Sequence, residues 1–196
     1  MEKNLNSIEI LTNGVAIGLK NAASLLGAII LWVLTCWIPY INIGTTIALS
    51  TIPLEMAKGN VFSPLAIFDK KYFAFMGEYF LINGLMVSAV AFGFMFFIIP
   101  GIVISIAWSQ AVMLMIDKKI NPMEALTASN KATTGHKWTI FLAQLALGLV
   151  LGILFLIFGK LGTFGVILSI VAAIIIMPIS LGMQAHIYKT LCGSKE

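Results

Sequence analysis

The 196-residue chain is 60% hydrophobic and 10% charged, with a mean hydropathy of +1.02. A soluble domain of ordinary composition is excluded, and a helical membrane protein is the class that remains. The net charge is +4 and the pI about 9.1, yet all twelve basic residues are lysine. That argues against bidentate arginine capture of phosphate, and it ties the basic balance to membrane topology rather than to nucleic acid.

Taken in order, MEKNLNSIEI carries two acids and no apolar run, so it does not read as a signal peptide. Residues 7–20, with a cap at Asn6 or Ser7 and Ile8, Leu11, Val15 and Leu19 at helical spacing, predict an amphipathic helix on the membrane surface. Residues 22–38 predict a first span that ends in an aromatic belt at Trp37 and Tyr40, either side of Pro39. Residues 41–57 return, interrupted by Pro53, and residues 63–70 predict a second surface helix opened by Ser63-Pro64.

Past the anchors Lys71 and Tyr72, residues 72–99 predict a long third span. Ile99-Pro100-Gly101 turns it into a short fourth, 101–116. Asp117, Lys118 and Lys119 bring the chain into water, and Asn121-Pro122-Met123-Glu124 has the marks of a helix start: a cap, a first-turn proline and an acid at the positive end of the dipole. Residues 121–134 are therefore expected as a third surface helix, ended by Gly135. Lys137 and Trp138 are expected to anchor the entry of residues 139–158, and residues 163–188, with Pro178 as a kink, complete six spans.

The expected architecture is all-α and integral to the membrane: three helical hairpins, each preceded by a cytoplasmic amphipathic helix. Eleven of the twelve lysines fall on one side of that topology and only Lys160 on the other, which places both termini in the cytoplasm. Cys36 and Cys192 fall near opposite ends of the bilayer on this reading, so no disulfide is expected.

The run from Ile98-Ile99-Pro100-Gly101 through Asp117-Lys118, Pro122, Glu124-Ala125-Leu126, Ser129, Thr133 or Thr134, Gly135-His136 and Trp138 resembles the membrane domain found beside some bacterial glycerophosphodiester phosphodiesterases. It is equally similar to the stand-alone relatives of that domain, and the resemblance extends to Ala185-His186-Ile187-Tyr188. It implies a six-span protein of the bacterial inner membrane. The phosphodiesterase chemistry of the fused members belongs to a separate soluble domain, so the resemblance brings no catalytic residue to this chain.

Polar side chains inside spans are costly and mark candidate sites: Glu78, Asn83, Gln110, Gln144, Gln184 and His186. Glu78 lies about 10 Å past Lys71 at ~1.5 Å per residue, and the others concentrate in the same half of the bilayer, so convergence would form a polar cavity open to the cytoplasm. The opposing reading makes them hydrogen-bonding glue between helices. Gly148 and Gly152, one and two turns beyond Gln144, form a small-residue face expected to pack closely against a helix of this chain or of a partner. Neither histidine has a second ligand at metal-binding spacing, and no nucleophile, phosphate loop or carboxylate pair points to catalysis, so neither metal nor cofactor is expected. The expectation is a non-catalytic accessory or scaffold subunit that binds membrane lipids and another membrane protein or a second copy. Its rival is a small transporter, channel or lipid-handling protein. The two part on whether Glu78, Gln110 and Gln144 face one cavity.

Overall fold

A computed structural model describes residues 5–193, and within them the chain is helical with no strand. The helices are α1 (Ser7–Thr35), α2 (Pro39–Ala57), α3 (Lys70–Phe73), α4 (Met76–Phe96), α5 (Ile98–Ala107), α6 (Ala111–Lys118), α7 (Pro122–Thr133), α8 (Lys137–Phe158) and α9 (Gly162–Leu191). Two 3-10 turns, Pro64–Phe68 and Gly159–Leu161, precede α3 and α9. Four stretches are long and apolar enough to cross a membrane: Ser7–Thr35, Met76–Phe96, Ile98–Lys118, and Lys137–Leu191, which joins α8 to α9. The 19-residue α2 is not among them, because Asn42, Thr45, Thr46, Ser50, Thr51 and Glu55 dilute its apolar character.

The expected surface helix 7–20 and span 22–38 are one continuous helix. Asn21, the residue between them, donates its Nδ2 to the Ile17 carbonyl and accepts at Oδ1 from the Phe62 N–H. The side chain therefore reinforces the helix from within and pins the following loop to it. Residues 63–70 form no amphipathic α-helix either. Proline at the first position starts a 3-10 turn whose Ile67 is fully buried, and Pro64 lies over Gly27 of α1.

The third span, expected from residue 72, begins at Met76 after a separate turn at α3, and it ends at Phe96. The chain reverses at Phe97, whose backbone is extended (φ −157°, ψ 145°), so Pro100 sits inside the first turn of α5 rather than in the reversal. The missing N–H of a first-turn proline costs no helical hydrogen bond. The expected fourth span, 101–116, is broken between α5 and α6 at residues 108–110.

The most extensive packing joins α1 to α9. Gly14 faces Met183 and Gly18 faces Pro178 and Ile179, so the two helices run antiparallel. A Cβ at Gly182 would overlap the Gly14 carbonyl, and one at Gly18 would overlap that of Pro178. These are backbone-to-backbone contacts of the kind small residues permit between apolar helices. Trp32 of α1 holds α2 by donating its indole N–H to Thr46 Oγ1 at 3.0 Å.

Buried side chains gather at the end of the molecule that carries most of the lysines: Ile10 and Leu25 of α1, Ile52 of α2, Leu114 of α6, Ile140 of α8 and Ile187 of α9. At the other end, Leu34, Trp37, Phe96 to Ile99 and Leu156 are exposed, as are the outer faces of α4, α8 and α9. A belt of exposed apolar side chains on that scale fits a hydrocarbon surround and not water.

Candidate functional site

The break between α5 and α6 is the most polar point of the buried interior. Ending a helix at Ala107 and restarting it at Ala111 leaves backbone groups without intrahelical partners, and each needs one if buried. Ser129 of α7 supplies two of them. Its hydroxyl donates to the Ala107 carbonyl at 2.7 Å and accepts from the Gln110 N–H at 3.2 Å, while Thr133 Oγ1 also reaches Ala107 at 3.4 Å. Asn121, accepting from the Glu124 N–H at 2.9 Å, caps α7 so that Ala125, Leu126, Ser129 and Thr133 line its buried side.

Inside the break, the Gln110 side chain is fully buried. Its Nε2 donates to Gln184 Oε1 of α9 at 2.8 Å and to Ser109 Oγ at 3.1 Å, while its Oε1 has no partner. Gln184 also lines a groove of about 580 Å³ between α8 and α9 that includes Gln144 and Gly148.

The remaining expected members do not join this cluster. Glu78 is exposed in the first turn of α4, because the helix starts at Met76 and not at the lysines before it. Asn83 donates to the Tyr79 carbonyl of its own helix at 2.9 Å. His186 stands roughly 200° round α9 from Gln184, and its Nε2 is buried without a partner. One polar cavity shared by Glu78, Asn83, Gln110, Gln144, Gln184 and His186 is therefore not formed.

Two further expectations are corrected. Gly148 and Gly152 have nothing within 4 Å of where a Cβ would stand, so close intramolecular packing falls on Gly14, Gly18 and Gly182 instead. Tyr72, expected as an interfacial anchor, is 2% exposed and belongs to the core. Trp37, Tyr40 and Trp138 are exposed as belt residues would be.

Sequence reasoning offers Lys58 or Lys71 as a partner for Glu55, but it does not bring Asp117 and Tyr188 into the second cluster that forms there. Tyr188 Oη donates to Asp117 Oδ2 at 2.6 Å, and Lys58 Nζ lies 3.1 Å from Asp117 Oδ1 and 3.7 Å from Glu55. The cluster fastens the ends of α2, α6 and α9, and the pocket beside it, about 260 Å³, includes Lys71, Tyr72 and Lys119. Burial pulls Lys71 down, but Tyr72, Glu55 and Asp69 outweigh it and hold its ammonium above the ordinary lysine value. Asp117 and Tyr188 both lie in the runs that carried the resemblance, although nothing in the sequence pairs them.

Among the described residues no three His, Cys, Asp or Glu side chains are placed to hold a metal ion. Apart from Gln110 Oε1, the polar groups described at the break bond to one another and to backbone. No family model matches the chain, and no curated protein or solved structure matches it.

Proposed function

We propose that this chain is a six-span protein of the bacterial inner membrane, both termini cytoplasmic, serving as a non-catalytic accessory or scaffold subunit for another membrane protein. The observation that carries the reading is how the intramembrane amides are used. Gln110 is buried and bonded to the half-buried Gln184 at the edge of the α8–α9 groove, while Glu78 is exposed on α4 and Asn83 bonds within its own helix. A transporter needs such groups on a shared water-filled path, whereas a scaffold needs them locking helices together. The lysine asymmetry supports the orientation, and the resemblance to the phosphodiesterase-associated membrane domain supports the bacterial inner membrane.

The test is purification of the tagged chain from its own membrane in a mild detergent, with the eluate read by mass spectrometry, alongside solute flux in proteoliposomes. A membrane protein recovered in fixed stoichiometry, with no flux above empty vesicles, is the expected result. Flux through the purified chain that is abolished by Gln184→Leu would overturn the reading in favour of the transporter.

A further inference from the structure

We infer that the groove between α5 and the start of α8 binds an anionic glycerophospholipid, with one acyl chain along the groove and the headgroup phosphate at Lys137. The inference rests on the inner-membrane placement proposed above. Ile99, Ile102, Val103 and Ile106 form one wall, and Trp138 and Phe141 form the other, around a volume of about 380 Å³. The four α5 residues follow helical spacing along one face, a wall of roughly 10 Å at 1.5 Å per residue.

The chemistry of the groove selects the occupant. Its walls are aliphatic and aromatic side chains on helices whose backbone groups are already bonded internally. A peptide strand laid there would leave its amides unpaired in hydrocarbon, whereas an acyl chain has none to satisfy. Ala107, the residue after Ile106, is bonded by Thr133, so this end of the groove lies beside the connector that carries Gly135 and Lys137.

Charge at that end decides the headgroup. Lys137 Nζ donates to the neutral Asn130 Oδ1 at 2.9 Å, and the ion pairs among the described residues involve only Lys58 and Lys71. Its positive charge is thus uncompensated at the mouth of an apolar slot. Trp138, 76% exposed, stands edge-on to Phe141 with ring centroids 5.7 Å apart, a rigid aromatic flank of the type that settles at headgroup level.

The experiment is native mass spectrometry of the delipidated full chain, titrated with dioleoyl phosphatidylglycerol and dioleoyl phosphatidylcholine, which share their acyl chains and carry an anionic and a zwitterionic headgroup. The expected result is a bound phosphatidylglycerol held about fivefold more tightly than phosphatidylcholine, the scale of one lysine at an anionic surface. Lys137→Gln, which keeps a donor for Asn130, should erase that preference. Val103→Trp, filling the slot from an exposed position, should remove both lipids. Equal affinities in the unaltered chain, a preference that survives Lys137→Gln, or a Val103→Trp chain that binds as before would each overturn the site. Alkaline carbonate extraction separates this failure from that of the membrane placement: a chain released without detergent sinks the placement, whereas a retained chain with equal affinities sinks only the lipid site.

Discussion

Gln110 shows what a single side chain does here. Buried at the break between α5 and α6, it bonds across to Gln184 and leaves its own Oε1 unpaired. Gln184→Met should destabilise the protein by about 1–2 kcal/mol, because the Gln110 amide then loses its acceptor on α9. The double variant Gln110→Met with Gln184→Met should recover most of that loss, since both ends of the bond and the unpaired oxygen go together. Thermal unfolding in detergent reads the cycle, and a double variant weaker than either single one would remove the pair from the account. Ser129→Ala should cost about 1–3 kcal/mol in the same assay, as it takes a partner from both the Ala107 carbonyl and the Gln110 N–H. The identity of the polar residues and the cap at Asn121 are legible in sequence because they depend on residue type and local spacing. Which amide meets which is not legible: Gln110 and Gln184 lie 74 residues apart, and only the packing of α9 against the break joins them. Glu78 was misread for a local reason, since its depth was counted from lysines that belong to a separate short helix.

Among the helices, α1 and α8 make an instructive pair. Each carries two glycines four residues apart, Gly14 with Gly18 and Gly148 with Gly152. Spacing alone favours neither, because it reports a small-residue face and not what covers it. In the fold the first pair is pressed against α9 and the second is open. Gly182→Ala should therefore lose about 1–3 kcal/mol or disturb the fold, since the added methyl meets backbone. Gly148→Ala and Gly152→Ala should be neutral or stabilising by up to ~1 kcal/mol each, through lower helix-opposing entropy. Circular dichroism melts of the three variants check the contrast, and a Gly148→Ala loss as large as that of Gly182→Ala would place a covering helix where none is described. The division of α1 into a surface helix 7–20 and a span 22–38 does not hold, because Asn21 between them is helical and turns its side chain back along the helix.

At the scale of the whole molecule, composition was enough for an all-helical membrane class, because hydropathy summed over long windows is insensitive to partners. The uneven filling, dense beside the lysines and open at the far turns, could not be read, since an apolar residue facing lipid and one facing core look alike in sequence. Orientation is open to direct measurement with single cysteines placed after Cys36 and Cys192 are changed to alanine. Lys160→Cys should react with an impermeant maleimide on intact spheroplasts, and Lys131→Cys only after permeabilisation; the reverse pattern would invert the topology. The α1 to α9 contact has a consequence for how the protein is made. Helices that enter the bilayer one after another normally settle against the neighbour just synthesised, but the glycine face of α1 waits for the last helix described. Until the ribosome has delivered α9, the glycine face of α1 lacks the partner that covers it in the finished fold.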